Sequence, residues 1–292
     1  MDNRRVAPGH YENFPVASIL CPPQLRPPIR CIYAFARTAD DIADEGAASP
    51  AKRRETLSRF RQILRRVAAL GPTGDADLAS DEWPEVFIPL ADVLHRFRLP
   101  VPLLEDLLDA FAQDCSNPTY ASREHLLDYC RRSANPIGRL LLHLYGIDDA
   151  SAIKASDAIC TALQLINFWQ DLSVDLARGR CYLPMADCSH FGIGVESMAM
   201  QDEAARRLVH DLVGWSAEIM ARGAGLPLRV PGRAGWELRL VVHGGWRILE
   251  KIRDMSFRSF LQRPRLTALD GPTLLWRGLR YAPEQFDPDE LR

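Results

Sequence analysis

The sequence predicts an all-α protein. Apolar residues recur at helical spacing almost from end to end, no run alternates as a strand would, and the breaks carry proline, glycine or a capping serine. An early loop with Pro22, Pro23, Pro27 and Pro28 leads into the first helix. On that helix Ile32, Phe35, Ala36, Ala39, Ile42 and Ala43 form an apolar stripe, and Gly46 is its C-terminal cap. Ser49-Pro50 reads as an N-cap followed by proline at the first helical position, which opens a helix over 51–69. A loop from Gly71 to Pro84 follows, then helices near 85–97, 101–114, 122–146, 149–176, 196–222 and 233–261. Pro227 to Gly232 is the clearest late break, but the helices on both sides are amphipathic, so residues 1–292 are read as one domain without internal repeats.

Composition excludes several classes. With 47% hydrophobic residues, 25% charged residues and a net charge of −2, the chain is of ordinary globular make-up and carries no basic signature for a nucleic-acid partner. No apolar run reaches the length of a membrane span, and Met1-Asp-Asn-Arg-Arg leads into no secretory apolar segment. The seven cysteines (21, 31, 115, 130, 160, 181 and 188) are odd in number and form no CxxC, so they read as reduced packing residues of an intracellular protein. Cys181 and Cys188 lack the second pair that zinc requires. Gly192-Ile-Gly194 has no third glycine and no preceding strand, and reads as a turn. The expected location is the cytoplasm.

Two acid-rich segments carry the functional signal. The first is Arg37-Thr-Ala-Asp40-Asp41-Ile-Ala-Asp44-Glu45, and the second is Gln164-Leu-Ile-Asn167-Phe-Trp-Gln-Asp171-Leu-Ser-Val-Asp175. Each has carboxylates four residues apart, which a helix projects from one face. In the first segment the acids crowd the C-terminal turns of a helix, where each opposes the macrodipole by roughly 0.3–1 kcal/mol. A bound cation reverses that penalty. If the two helices face each other, their oxygens form a cage suited to a hard ion such as Mg²⁺ beside substrate phosphates. The bland alternative is a solvated acidic helix end.

The two segments together resemble the squalene/phytoene synthase family. Tyr33-Ala-Phe-Ala-Arg37-Thr-Ala-Asp40 is similar to that family's first motif, Gln164 to Asp175 to its second, and Arg178-Gly-Arg-Cys-Tyr182-Leu-Pro184 to the run that follows it. The likeness extends from about His10 to Arg265. It implies an isoprenoid-synthase helical bundle with a central cavity, Mg²⁺ as cofactor and prenyl diphosphate as substrate. The implied metal set is Asp40, Asp44, Asn167, Asp171 and Asp175. Arg37 would grip the diphosphate, or else neutralise Asp41 one turn on. His10, Asn13, Phe14, Gln164, Phe168 and Arg265 complete the implied substrate contacts, with Tyr33 and Tyr129 on the wall of the site. Arg263 and Arg265 read equally well as a basic tail, and Phe14, Tyr33, Phe168 and Trp246 equally well as core.

The departures from the family pattern are informative. Where relatives commonly carry His-Ser-Lys-Ser-Phe, this chain has His10-Tyr-Glu-Asn13-Phe14-Pro15. Ser133-Ala-Asn135-Pro136-Ile-Gly138 replaces a small apolar stretch, and Gln170 stands where arginine is common. These features resemble the hydroxysqualene synthase branch, which serves bacterial hopanoid biosynthesis and converts presqualene diphosphate and water. That branch implies lipid substrates, peripheral contact with the inner membrane and hand-over to other hopanoid-pathway enzymes. Proline inside the helix frees a carbonyl near residue 132, and Asn135 beside it either orients a water or is a satisfied buried amide. The rival readings are a head-to-head synthase making presqualene diphosphate, squalene or phytoene, a non-enzymatic assembly factor, whose acidic motifs would be eroded, and a plain helical interaction module.

Overall fold

The computed structural model describes residues 21–70 and 82–291, which are helical without a strand; their only sheet-like pairing is the isolated bridge between Tyr120 and Pro184. Proline marks where many helices begin. It occupies the first or second position of α1 (Arg26–Asp44), α2 (Pro50–Ala69), α3 (Pro84–Phe97), α4 (Val101–Asp114), α6 (Asn135–Leu144) and α11 (Gly271–Leu279). A missing N–H costs nothing in a first turn, where no carbonyl waits for it. The remaining helices are α5 (Arg123–Ser133), α7 (Ala150–Ala177), α8 (Met185–His190), α9 (Asp202–Gly223) and α10 (Gly232–Asp254).

Several boundaries differ from the sequence expectation, each for a local reason. Pro27 and Pro28 lie in the first turn of α1 rather than in the preceding loop. The helix expected over 122–146 is two helices that meet at Ala134, because Pro136 cannot donate to the carbonyl of Arg132. The helix expected over 233–261 stops at Asp254, and Ser256 and Phe257 take left-handed conformations immediately after it. The helix expected from 196 begins as a 3₁₀ turn over Val195–Met200. Helices α8 and α11 are too short to leave a periodic trace in the sequence.

Two apolar clusters hold the helices. The first fastens α1 to α2 and α3 through Phe35, Phe60 and Phe87, all fully buried, with ring centroids 5.1 Å (35–60), 4.6 Å (60–87) and 6.3 Å (35–87) apart. Each such ring contributes roughly 2–3 kcal/mol by burial. With Phe35 and Ala39 turned inward, the acidic face of α1 is left on the other side. The second cluster surrounds α7, which buries Leu165, Ile166, Trp169 and Leu172. Trp169 Nε1 donates to Ser216 Oγ of α9 at 2.7 Å. Glycine permits the closest approaches to α7. A Cβ on Gly138 of α6 would lie 2.4 Å from Ser156 Oγ, and one on Gly223 of α9 would lie 2.6 Å from the Ala155 carbonyl. Between α1, α6, α7 and α10 this packing leaves a cavity of about 510 Å³.

Candidate active site

The cavity and the acidic segments are consecutive stretches of the same two helices. On α1, Ile29, Ile32, Tyr33 and Ala36 line the cavity, and Arg37, Asp40 and Asp44 follow on the next turns. On α7, Ser156, Ile159, Cys160 and Leu163 line it, and Gln164, Asn167, Asp171 and Asp175 follow. Ile137, Gly138 and Leu141 of α6 and Leu238 and Val241 of α10 close the other walls. The wall is almost wholly apolar, with Glu237 its one acid among the described residues. An apolar chamber of this size suits a hydrocarbon ligand.

Arg180 joins the two acidic patches. Gly179, at φ 72°, turns the chain after α7, so that the Arg180 amide donates to the Asp175 carbonyl at 2.8 Å. The Gly179 carbonyl accepts from Asn117 Nδ2 at 2.6 Å, which fixes this turn against the end of α4. The Arg180 guanidinium then reaches α1 and grips Asp44 through both terminal nitrogens, at 2.9 and 2.8 Å. Three further carboxylates are also held by arginine. Arg37 meets Asp41 at 2.6 Å and Asp40 at 3.3 Å, and Arg263 Nε meets Asp171 at 2.5 Å. Among the described residues no three His, Cys, Asp or Glu side chains converge on one ligating point, so the cage envisaged from the sequence is not preassembled.

Electrostatics mark the site as one unit. Burial and then the Asp44 charge push Asp40 up to about 6, against the pull of Arg37. Burial and then Asp171 push Asp175 up to about 6, against Arg180. Asp114, at the end of α4, is pushed up to about 7 by burial, with Asp44 and Asp40 adding to the rise and the Tyr129 hydrogen bond opposing it. Tyr129 donates to Asp114 Oδ2 at 2.8 Å, and Asp114 Oδ1 is buried with no hydrogen-bond partner among the described residues. Sequence reading missed Asp114. It is the last residue of an amphipathic helix that also carries Glu105, Asp106 and Asp109, and nothing local sets it apart from those acids.

An aromatic group packs beside the second patch. Phe168 stacks on Tyr182 at 4.0 Å and 9°, Tyr129 lies 6.2 Å from both, and Tyr120 lies 5.6 Å from Tyr129. Trp246, for which the sequence left pocket and core open, is core, 5.2 Å from Phe286. Arg265 is exposed, and the late arginine that reaches the acids is Arg263. Buried Gln170 explains its reach, because Nε2 donates to the Pro264 carbonyl at 2.8 Å and pins that segment to α7. Asn167 is exposed and Gln164 half-buried on α7. Asn135 is buried beside the break at Ala134 and accepts from Thr161 Oγ1 at 2.9 Å, while Ser133 Oγ is buried without a partner among the described residues. His10, Asn13 and Phe14 lie outside the described residues.

Known proteins resemble the chain in sequence and in fold. The chain is 38% identical to the hydroxysqualene synthase of Zymomonas mobilis over 60% of its own length and 56% of that protein's. It is 32% identical to the hydroxysqualene synthase of Sinorhizobium fredii over 73% of its length and 69% of that protein's. The crystal structure of squalene synthase HpnC from Alicyclobacillus acidocaldarius superposes with a TM-score of 0.75 at 36% identity, covering 85% of this chain and 90% of that one. The model of the squalene/phytoene synthase family matches residues 7–270, nearly the whole chain, and the chain belongs to that family.

Proposed function

We propose that the protein is a hydroxysqualene synthase, which converts presqualene diphosphate and water to hydroxysqualene and diphosphate. One observation carries the reading. Both α1 and α7 pass from the wall of an apolar cavity directly into a charged mouth, and the relatives 38% and 32% identical to the chain are hydroxysqualene synthases. The hydrocarbon of the substrate belongs in the cavity and its diphosphate among Arg37, Arg180 and Arg263.

The donor set fits Mg²⁺. Asp40, Asp175 and Asp114 are held at raised pKa by burial and mutual repulsion, and the buried Asp114 Oδ1 has no partner among the described residues. Asp40, Asp44, Asn167, Asp171 and Asp175 would hold the ion, which when bound neutralises the charge that develops on the departing diphosphate. As the C–O bond breaks, its electron pair leaves with the diphosphate, where the arginines released by their carboxylates donate to the phosphate oxygens. The apolar wall and the Phe168, Tyr182 and Tyr129 rings suit the cation left behind. A cyclopropane bond of that cation breaks to give an allylic cation, water adds to it, and the proton that this water gives up passes to the released diphosphate. Asn135, Ser133 Oγ and the carbonyl freed at Arg132 lie just before the cavity-lining turn of α6, and they are the candidates to place that water. Substrate and product are lipids, so peripheral contact with the inner membrane and hand-over to hopanoid-pathway enzymes belong to the same reading.

The test is purified protein with Mg²⁺ and either presqualene diphosphate or farnesyl diphosphate, with products identified by mass spectrometry. Hydroxysqualene from presqualene diphosphate is the expected result. Turnover of farnesyl diphosphate alone, ending at presqualene diphosphate, would move the chain to the condensing branch.

A further inference from the structure

Exposed apolar side chains are concentrated at one place on this molecule. Of the nine large ones among the described residues, five lie between 261 and 279: Leu261, Leu269, Leu275, Trp276 and Leu279. Leu275, Trp276 and Leu279 share the outer face of α11, and Leu269, 89% exposed, stands in the turn before it. The helix is anchored in this orientation. Gly278 on its inner face is buried, and a Cβ there would meet Leu240 at 3.1 Å and Trp236 at 3.4 Å, so α11 sits flush on α10. Arg277 donates to Glu250 at 2.7 Å, and Asp270 is held by Arg247 at 2.9 Å and Lys251 at 3.0 Å. A fixed helix with its apolar face outward marks an interaction surface.

Charge identifies the partner. The segment 261–280 holds four arginines against one acid, the buried and doubly paired Asp270; Arg263 pairs with Asp171 and Arg277 with Glu250, which leaves Arg265 and Arg280 exposed in a chain whose net charge is −2. Arg280 lies over the Trp276 ring at 4.1 Å, which sets a cation at the rim of the apolar face in the manner of interfacial helices. A symmetric second copy would oppose these arginines to themselves, whereas an anionic lipid surface complements them.

We infer that α11 and the turn before it dock on an anionic bilayer. Leu269, Leu275, Trp276 and Leu279 enter the acyl boundary, and Arg265 and Arg280 meet headgroup phosphates. Nine residues of helix give weak, reversible attachment. Beneath α11 lies α10, whose Leu238 and Val241 line the cavity, so docking holds the cavity wall beside the bilayer. The lipid-substrate reading supplies the purpose of this surface, while the surface itself rests on its own residues.

The test is flotation of the full-length protein with phosphatidylcholine vesicles, with and without phosphatidylglycerol. The expected result is binding that needs phosphatidylglycerol and weakens with salt. Leu275→Gln with Trp276→Gln and Leu279→Gln should lower the partition at least about tenfold, and Arg280→Gln should weaken it on anionic vesicles. Melting and diphosphate release from detergent-dispersed substrate should be unchanged in both. If the triple variant misfolds, Leu279→Gln alone should still show a graded loss. No binding by the wild type, or equal binding by a folded triple variant, would overturn the inference. So would a wild-type dimer that the triple variant converts to monomer, which would make the occupant a second copy. Vesicle binding without release of diphosphate from any prenyl substrate would uphold this surface and count against the proposed activity.

Discussion

Arg180 clamps Asp44 from a position directly below Asp175, and so a single residue spans both acidic patches. Its planar fork matches a carboxylate here and a phosphate equally well. Arg180→Ala should lower the rate of diphosphate release about 10²-fold or more, through loss of a donor to the leaving group. Arg180→Lys should recover only part of that rate, because an ammonium cannot make the paired contact. A pyrophosphate-release assay reads both.

Asp40→Ala and Asp171→Ala should each reduce turnover by several orders of magnitude in saturating Mg²⁺, since departure loses the charge that balances it. The wild type should be inactive in excess chelator and recover when Mg²⁺ is restored. Full activity in chelator would refute the metal assignment.

Asp114 gives a pH signature. Its folded pKa, about 7, lies above the unfolded value of 3.8, so the folded state keeps a proton that the unfolded state has released. Its contribution to stability is therefore fully present below pH 4 and is lost as pH rises toward 7, by up to about 4 kcal/mol without metal. Buried His243, pushed down to about 4, works in the opposite direction below pH 6.5, so the informative quantity is a difference between variants. Metal-free Asp114→Asn should gain thermal stability over wild type as pH is raised from 5 to about 7.5. Mg²⁺ should narrow that gap. Calorimetry that shows a constant gap across the range would remove Asp114 from the coupled set.

Asn135→Ala tests the placement of water. The variant leaves the Thr161 hydroxyl unpaired in the core, which should cost about 1–3 kcal/mol of stability. Thr161→Val imposes a comparable change while keeping the amide. If Asn135 orients water, only Asn135→Ala should lower the ratio of hydroxysqualene to released diphosphate, with elimination products rising. An unchanged ratio in both would make Asn135 a structural amide and shift attention to Ser133.

The sequence alone determined the helical class, the breaks at Pro50 and Pro84, and the two carboxylate pairs, because each of these is fixed within four or five residues by turn geometry and side-chain spacing. It also placed Tyr129 and Phe168, although their partners remained open. Tertiary structure decided everything that depends on residues distant in the chain. Asp114 joins Asp40 and Asp44 only when α4 packs against α1, and Arg263 rather than Arg265 reaches Asp171 because Gln170 pins Pro264 from across the fold. For Trp246 the sequence left pocket and core equally open, and the packing of Phe286 of the C-terminal segment against it decides for core. Periodicity shows which face of a helix is apolar, but which partner covers that face, or leaves α11 uncovered, follows from how all the helices fill space together.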